Sequence, residues 1–368
     1  MQNSSGPSIF IPSDKNIFDA LQHKKVRHSE ALKFLRNRGI LVSSKLDKTE
    51  LSKIISQLVF DYHDYLNLTK LLENPSRKEK TTQATIKAST NQDNLVKACQ
   101  NIDKSETSDE SYKVIKKENS TVLVVTYTDI DFTKTELRQR SIKKCEIELQ
   151  SSGDETTVRM PATKKGREIA DKVKLSLSKI VGEELEEEVI SLENFVLPEA
   201  RSLFFDELIK SISGYRLEDV SSVDVYHKID NLEDNLDEES ENESSSYAGF
   251  IQKAALAGGG VLESTEFNQL HSRGFFICKI VWTVVDIHPG GDIVELEAQF
   301  GTPSSCTDFK YLVRGVRHFN ERIKTQIVTK RAPSRLETNV FNNHLEKAAK
   351  LAFDKIVHKY AEPENEDN

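Results

Sequence analysis

Long apolar runs are missing from this 368-residue chain. No stretch of about 18 consecutive apolar residues occurs, which excludes an ordinary membrane-spanning helix. Cysteine is scarce. Cys99, Cys145, Cys278 and Cys306 lie far apart and form no CxxC or His/Cys ligand pair. Free thiols in a reducing cytosol are therefore expected, and a structural zinc is not. Residues 1–16 lack a basic start followed by an apolar segment, so no secretory signal is expected and the predicted location is cytoplasmic. The signatures GxSxG, HExxH, Walker A and DFG are absent. Gly258-Gly259-Gly260 is not followed by Gly-Lys-Ser/Thr and reads as a loop or cap. His271, His288, His318 and His344 share no ligand spacing.

One group of acids invites a catalytic reading. Glu295 and Glu297 are two apart in a predicted strand and so share a face, with Asp292 and Lys310 near in sequence. A PD-(D/E)xK nuclease needs an acid-x-Lys pair on such a strand. Here the segment runs Glu295-Leu296-Glu297-Ala298-Gln299, with no lysine in place. No catalytic residue, metal or cofactor is assigned, and a non-catalytic role is favoured over an enzyme.

Hydrophobic residues make up 37% of the chain and charged residues 30%, which allows two or three domains with cores and polar segments between them. Ser13 or Asp14 opens a short helix through Leu21. Ser29 is expected to cap a helix carrying Leu32 and Leu35, which Gly39 closes. Ile40-Leu41-Val42 links it to a second helix, opened by the capping box Asp47-Lys48-Thr49-Glu50 and carrying Leu51, Ile54, Ile55 and Leu58. A further helix holds Leu66, Leu68, Leu71 and Leu72, and Phe60, Tyr62 and Tyr65 at its start are read as core before base-stacking residues. Residues 1–73 form a helical module whose apolar side chains, Ile17, Phe18, Leu21, Phe60 and Tyr65 among them, exceed what it can bury alone, so it is expected to dock.

Residues 74–112 are polar and read as a linker with a short helix near Leu95–Cys99. A strand–helix domain follows at 113–229, with strands at 121–127, 145–149 and 156–160 and a helix from Lys164 to Val181 that Gly182 ends. Pro198 opens another helix, and 221–229 is a further strand. Residues 230–247 are an acidic loop, with eight acids and no lysine or arginine between Asp230 and Glu243. The last domain, 248–368, begins with a short helix at Ala248–Leu256. It continues as a three-stranded antiparallel meander and ends in a long helix near Arg335–Tyr360. The order strand, strand, strand, helix occurs at both 121–181 and 275–358, which fits an internal duplication or two uses of a common arrangement. The fold class is α+β.

The chain carries a net charge of -8, yet two stretches are strongly basic. Between His23 and Lys53, nine Lys or Arg face three acids: Lys24, Lys25, Arg27, Lys33, Arg36, Arg38, Lys45, Lys48 and Lys53. Between Lys310 and Arg335, eight face one: Lys310, Arg314, Arg317, Arg322, Lys324, Lys330, Arg331 and Arg335, with Tyr311, His318 and Phe319 interleaved. Local positive charge in an acidic protein suits phosphates, although a solvated charged face would look the same. A smaller cluster, Lys134, Arg138, Arg140, Lys143 and Lys144, precedes a strand.

Residues 29–58 resemble the SAP and HeH helix–extended-loop–helix DNA-binding modules in LKFLRNRGI, in the apolar link and in DKTEL. The resemblance implies phosphate contacts from Arg36, Arg38, Lys45 and Lys48. The whole layout is similar to the non-nuclease subunit of GAPS-type two-component bacterial antiphage defence systems: a helical module with LRNRGI, strand-rich segments, then GFFICKIVW, DIVELEA and FKYLVRGV. That likeness implies a partner similar to PD-(D/E)xK nucleases. The expected function is a nucleic-acid-binding, non-catalytic subunit that recognises DNA, or else RNA, and regulates a partner nuclease, as a homo- or hetero-oligomer away from membranes. The candidate contacts are Lys33, Arg36, Arg38, Lys45, Lys48, Arg314, Arg317, Lys330, Arg331 and Arg335. A metal-dependent nuclease with an atypical site and a purely structural assembly subunit are the alternatives.

Overall fold

Ser13, Asp47 and Thr163 open helices in one way. Each side chain accepts a backbone N–H three residues on, from Asn16, Glu50 and Gly166. This satisfies donors that a helix start leaves free. At Asp47 the box is reciprocal: Glu50 N donates to Asp47 (2.7 Å) and Asp47 N to Glu50 (3.0 Å). The helix expected to be capped by Ser29 is capped two residues earlier. Arg27 is its N-cap, and the Glu30 carboxylate accepts from Arg27 N at 2.6 Å.

The computed structural model describes residues 12–72, 79–88, 90–102, 110–227, 253–288, 290–320, 325–326 and 329–360. Its helices are α1 (Asp14–Gln22), α2 (His28–Asn37), α3 (Lys48–Ser56), α4 (Tyr62–Leu72), α5 (Gln92–Gln100), α6 (Glu136–Gln139), α7 (Lys164–Val181), α8 (Pro198–Lys210), α9 (Thr265–Ser272) and α10 (Arg335–Tyr360). Its strands are β1 (Thr81–Lys87), β2 (Ser111–Lys116), β3 (Thr121–Ile130), β4 (Arg140–Ser152), β5 (Glu155–Pro161), β6 (Glu187–Glu188), β7 (Tyr215–Tyr226), β8 (Lys253–Ala257), β9 (Phe276–Asp286), β10 (Ile293–Thr302), β11 (Thr307–Arg317), β12 (Phe319–Asn320) and β13 (Thr325–Gln326). No helix among these residues is long and apolar enough to cross a membrane. The acidic stretch 230–243, Phe10, Ile11, Arg322 and Lys324 lie outside the described residues.

The chain divides into two units, one of Met1–Arg77 with Val96–Glu146, the other of Lys78–Leu95 with Ile147–Asn368. The first unit is built on α1–α4. Ile17, Leu21, Leu35, Leu51, Ile55 and Leu68 are almost fully buried, and Tyr65 is 8% exposed. Phe60 stacks on Phe34 with ring centroids 5.4 Å apart. Phe60 and Tyr65 thus pack in the core as expected, whereas Tyr62, read with them as core, is 49% exposed. Leu137 of α6 joins the same cluster, so the helical module docks on a later part of its own unit. Gly39 (φ 74°) closes α2 in the left-handed region. The unit also contains the β2–β3 hairpin, from Ser111↔Thr126 to Lys116↔Thr121.

The second unit is an antiparallel sheet in the order β4, β5, β1, β11, β10, β9, β7, β8, with β6 beside β1. The predicted meander is β9–β10–β11, registered as Glu297↔Val281 and Glu297↔Leu312. One sheet face carries the core: Trp282, Leu296, Ala298, Phe300 and Phe309 pack with Phe204 and Phe205 of α8 and with Leu345, Ala348, Ala349, Ala352 and Ile356 of α10. Both long helices end the runs that the sequence marks for them, and Gly182 closes α7 at φ 85°.

Two expectations are overturned. The 74–112 segment is not only a linker: it holds α5 and also β1, which lies between β5 and β11 and pairs with β5 over seven residues. Of the predicted helix at Ala248–Leu256, the described residues 253–256 belong to a strand, β8, which pairs with β7 from Tyr226↔Lys253 to Ser222↔Ala257.

Candidate nucleic-acid interface

In the first unit the basic residues divide into those used inside the fold and those left at the surface. Arg38 is used. Its Nη2 donates to the Val59 carbonyl (2.5 Å) and pairs with Asp64 (2.7 Å), and its guanidinium carbon lies 5.9 and 5.8 Å from the Phe34 and Phe60 ring centroids. Lys48 is used as well. Its ammonium donates to the carbonyls of Gln22 (3.2 Å) and His23 (2.8 Å) at the C-terminus of α1, where the His23 carbonyl also accepts from Val26 N (3.0 Å). Burial holds the Lys48 ammonium below the ordinary lysine value, with Glu30 pulling the other way. Lys33, Arg36 and Lys45 are exposed. Lys33 and Arg36 are three apart on α2 and so share its outer face.

A concavity of about 180 Å³ opens in the same unit, room for several waters. Lys25, Lys134, Arg138, Arg140 and Lys143 line it together with Thr69 and Ser141. Leu137 is what brings α6 here, since its side chain belongs to the helical core and Arg138 follows it. Lys25 donates to the Leu72 carbonyl at 2.9 Å. Lys134 and Lys143 pair with Asp131 and Asp129, both at 2.7 Å. Neither arginine has an ion pair among the described residues.

The concavity is electropositive. The His23 imidazole is held below its ordinary value by burial, then by Arg138, Lys25, Lys24 and Lys48. The Lys25 ammonium is lowered by burial and by Arg138, Lys134 and Lys24. The charges that act most on these two groups are positive.

The second basic stretch behaves differently. Arg314 pairs with Glu295 (3.1 Å) and Glu297 (3.4 Å), and Lys330 with Glu295 (2.5 Å). Glu297 also meets Lys80 at 2.6 Å. Glu295 and Glu297 are thus neighbours, as their spacing predicts, and both are neutralised by cations. Arg331 donates from Nε to His318 Nε2 (2.6 Å) and holds Glu337 with both terminal nitrogens, while His318 Nδ1 lies 2.6 Å from Asp292. Asp292, His318 and Glu337 offer ligand atoms within 4.8 Å of one another, a grouping suited to a cation. The Arg331 guanidinium already supplies positive charge there, and its pairing holds the Glu337 carboxyl down at about 2. Arg335 has a partner of its own. Arg317, partly exposed, has no ion pair among the described residues.

The structure therefore keeps Lys33, Arg36 and Lys45 at the surface of the first unit and ties Arg38, Lys48, Arg314, Lys330 and Arg331 into internal contacts. It adds Lys25, Arg138 and Arg140, which the candidate set omitted. Their signal was present in the small 134–144 cluster, but more than a hundred residues separate it from Lys25. Residues 15–79 match the family model of the GAPS4b protein N-terminal domain. The match covers α1 from its second residue, α2, α3 and α4. It supports a GAPS-type defence subunit and involvement in a defence system. No curated protein matches the chain.

Proposed function

We propose that the chain is a nucleic-acid-binding subunit of a GAPS-type antiphage defence system, binding through its first unit and regulating a partner nuclease. The observation that carries this reading is the contrast in charge pairing. Lys80, Arg314, Lys330 and Arg331 of the second unit are matched by Glu295, Glu297 and Glu337, with Arg317 the exception, whereas Lys33, Arg36, Lys45, Arg138 and Arg140 of the first have no ion pair among the described residues. Unmatched cations on a folded surface exchange counterions for phosphates, which supplies affinity that salt weakens. The likeness of α2, the 40–42 link and α3 to SAP and HeH modules supports the same role, with Lys33, Arg36 and Lys45 as phosphate contacts. The match at residues 15–79 supports the defence setting. The partner is inferred from the layout likeness alone.

The test is a titration of labelled DNA and RNA at several salt concentrations. Parent affinity should fall linearly in log–log form. The variant Lys33→Glu/Arg36→Glu/Lys45→Glu should bind at least tenfold more weakly and with a shallower slope, its fold unchanged by circular dichroism. Equal binding by parent and variant at low salt removes the α2–α3 surface from the proposal.

A further inference from the structure

The connection between β3 and β4 carries an aromatic side chain held out into solvent. Phe132 is 80% exposed, Ile130 two residues before it is 46% exposed, and Ile142 at the far end of the connection is 61% exposed. The turn beneath Phe132 is ordered. Asp131 Oδ1 accepts from Thr133 N (3.1 Å) and Thr133 Oγ1 (2.6 Å), and Asp131 Oδ2 pairs with Lys134 (2.7 Å). Asp131 N donates to the Gln139 carbonyl (2.8 Å), and Gln139 Nε2 to the Lys134 carbonyl (3.1 Å). The contacts of Lys134 and Thr133 pull the Asp131 carboxyl down to about 2. A turn braced from both sides holds the backbone that carries Phe132, so the cost of ordering the loop is met before a ligand arrives.

The same turn leads into the electropositive concavity. Lys134 is two residues from Phe132, and Ile142 lines the concavity with Arg138, Arg140 and Lys25. Cations for a phosphate chain beside an exposed ring are what an unpaired strand needs, because every base has a face that stacks. In a duplex those faces are already stacked on one another, and a protruding ring gains nothing without unstacking them.

We propose that the β3–α6–β4 connection is a binding site for single-stranded nucleic acid, in which Lys25, Arg138 and Arg140 take phosphodiester groups and Phe132 stacks on an unpaired base. The inference rests on the nucleic-acid reading above and gives it a substrate class. It also names residues apart from α2 and α3, so the two surfaces are separable.

The experiment measures binding of the full chain to a fluorescent oligo-dT of about 20 nucleotides, longer than the roughly 4–16 nucleotides such sites cover. The matching dT·dA duplex serves as competitor. Phe132→Ala should lose roughly 5- to 150-fold in single-strand affinity with its salt slope unchanged, and Phe132→Trp should retain it. Arg138→Ala/Arg140→Ala should make the log–log salt slope shallower by about 1.4, at roughly 0.7 per single-strand phosphate contact. Phe132 is exposed, so its variants should melt with the parent. Parent binding that Phe132→Ala leaves unchanged, or a duplex that competes as well as the single strand, overturns this inference alone. A parent that binds neither ligand overturns it together with the nucleic-acid reading.

Discussion

Replacing Glu297 by alanine separates a structural carboxylate from a chemical one. Glu297 is 6% exposed and is held by Lys80 at 2.6 Å and Arg314 at 3.4 Å. At an effective dielectric of about 20, each such pair has a gross attraction of about 5 kcal/mol. Removing the carboxylate and ammonium from water costs a similar amount, so the intact arrangement is worth little net. Lys80 shows this balance: burial lowers its ammonium below the ordinary lysine value, and the hydrogen bond and charge of Glu297 pull it back up. Deleting only the acid takes its carboxylate from Lys80, which keeps the Gln299 side chain, while Arg314 keeps Glu295; breaking a fully buried pair in this way costs about 3–5 kcal/mol. Lys80 and Arg314 keep 22% and 38% of their side-chain surface in water, so the expected loss is about 2–3 kcal/mol. Lys80→Met should cost less than Glu297→Ala, and the double variant should recover more than half of the loss. Because the folded Lys80 pKa lies below its unfolded value, part of the Glu297→Ala loss should return as pH rises through the folded pKa toward 10.5. Trp282, the one tryptophan and fully buried in the sheet core, reports urea unfolding. A Glu297→Ala midpoint equivalent to less than about 0.5 kcal/mol below the parent would refute this account of the pair.

Two further outcomes follow from local geometry. A Cβ on Gly166 would lie 2.2 Å from the Pro161 carbonyl oxygen, a backbone atom that cannot turn aside. Gly166→Ala should therefore cost about 1–3 kcal/mol and lower the melting temperature. His23 should titrate below 6.5 by NMR, since burial and four cations oppose its protonation. Bound phosphates would offset those cations, so saturation with nucleic acid should raise that value, and an unchanged titration would place the ligand away from the concavity.

The helices were the legible part of the sequence. α7 and α10 carry apolar residues at helical spacing over many turns, and Gly182 marks a stop that side-chain sterics enforce. β1 was not legible. Its inward residues Thr82, Ala84 and Ile86 are small or polar, and its stability comes from a neighbour on each side rather than from its own hydrophobicity. β8 reads Lys-Ala-Ala-Leu-Ala, a helix-favouring composition that pairing with β7 overrides. The basic surface was half legible. Charge counting finds cations but not which ones the fold consumes. Arg38 and Lys48 answer carbonyls inside the unit, while Arg138 gains its place only through Leu137 and tertiary packing.

The position of β1 has a consequence in time. Thr81 aligns with Tyr311 on one side, and the whole strand aligns with β5 from Glu155 to Pro161 on the other. On a ribosome adding roughly 5–20 residues per second, β1 can meet β5 within about 4–16 s of its own synthesis, but the β11 side stays open for about 10–50 s. Over that interval this edge of β1 is a row of backbone donors and acceptors that only β6, at Thr85 and Ile86, pairs before β11 arrives. The polar, threonine-rich composition that hid the strand from pattern reading also makes that waiting edge a poor template for aggregation. Substitutions that make β1 more hydrophobic should therefore lower soluble yield during synthesis even where they stabilise the finished sheet.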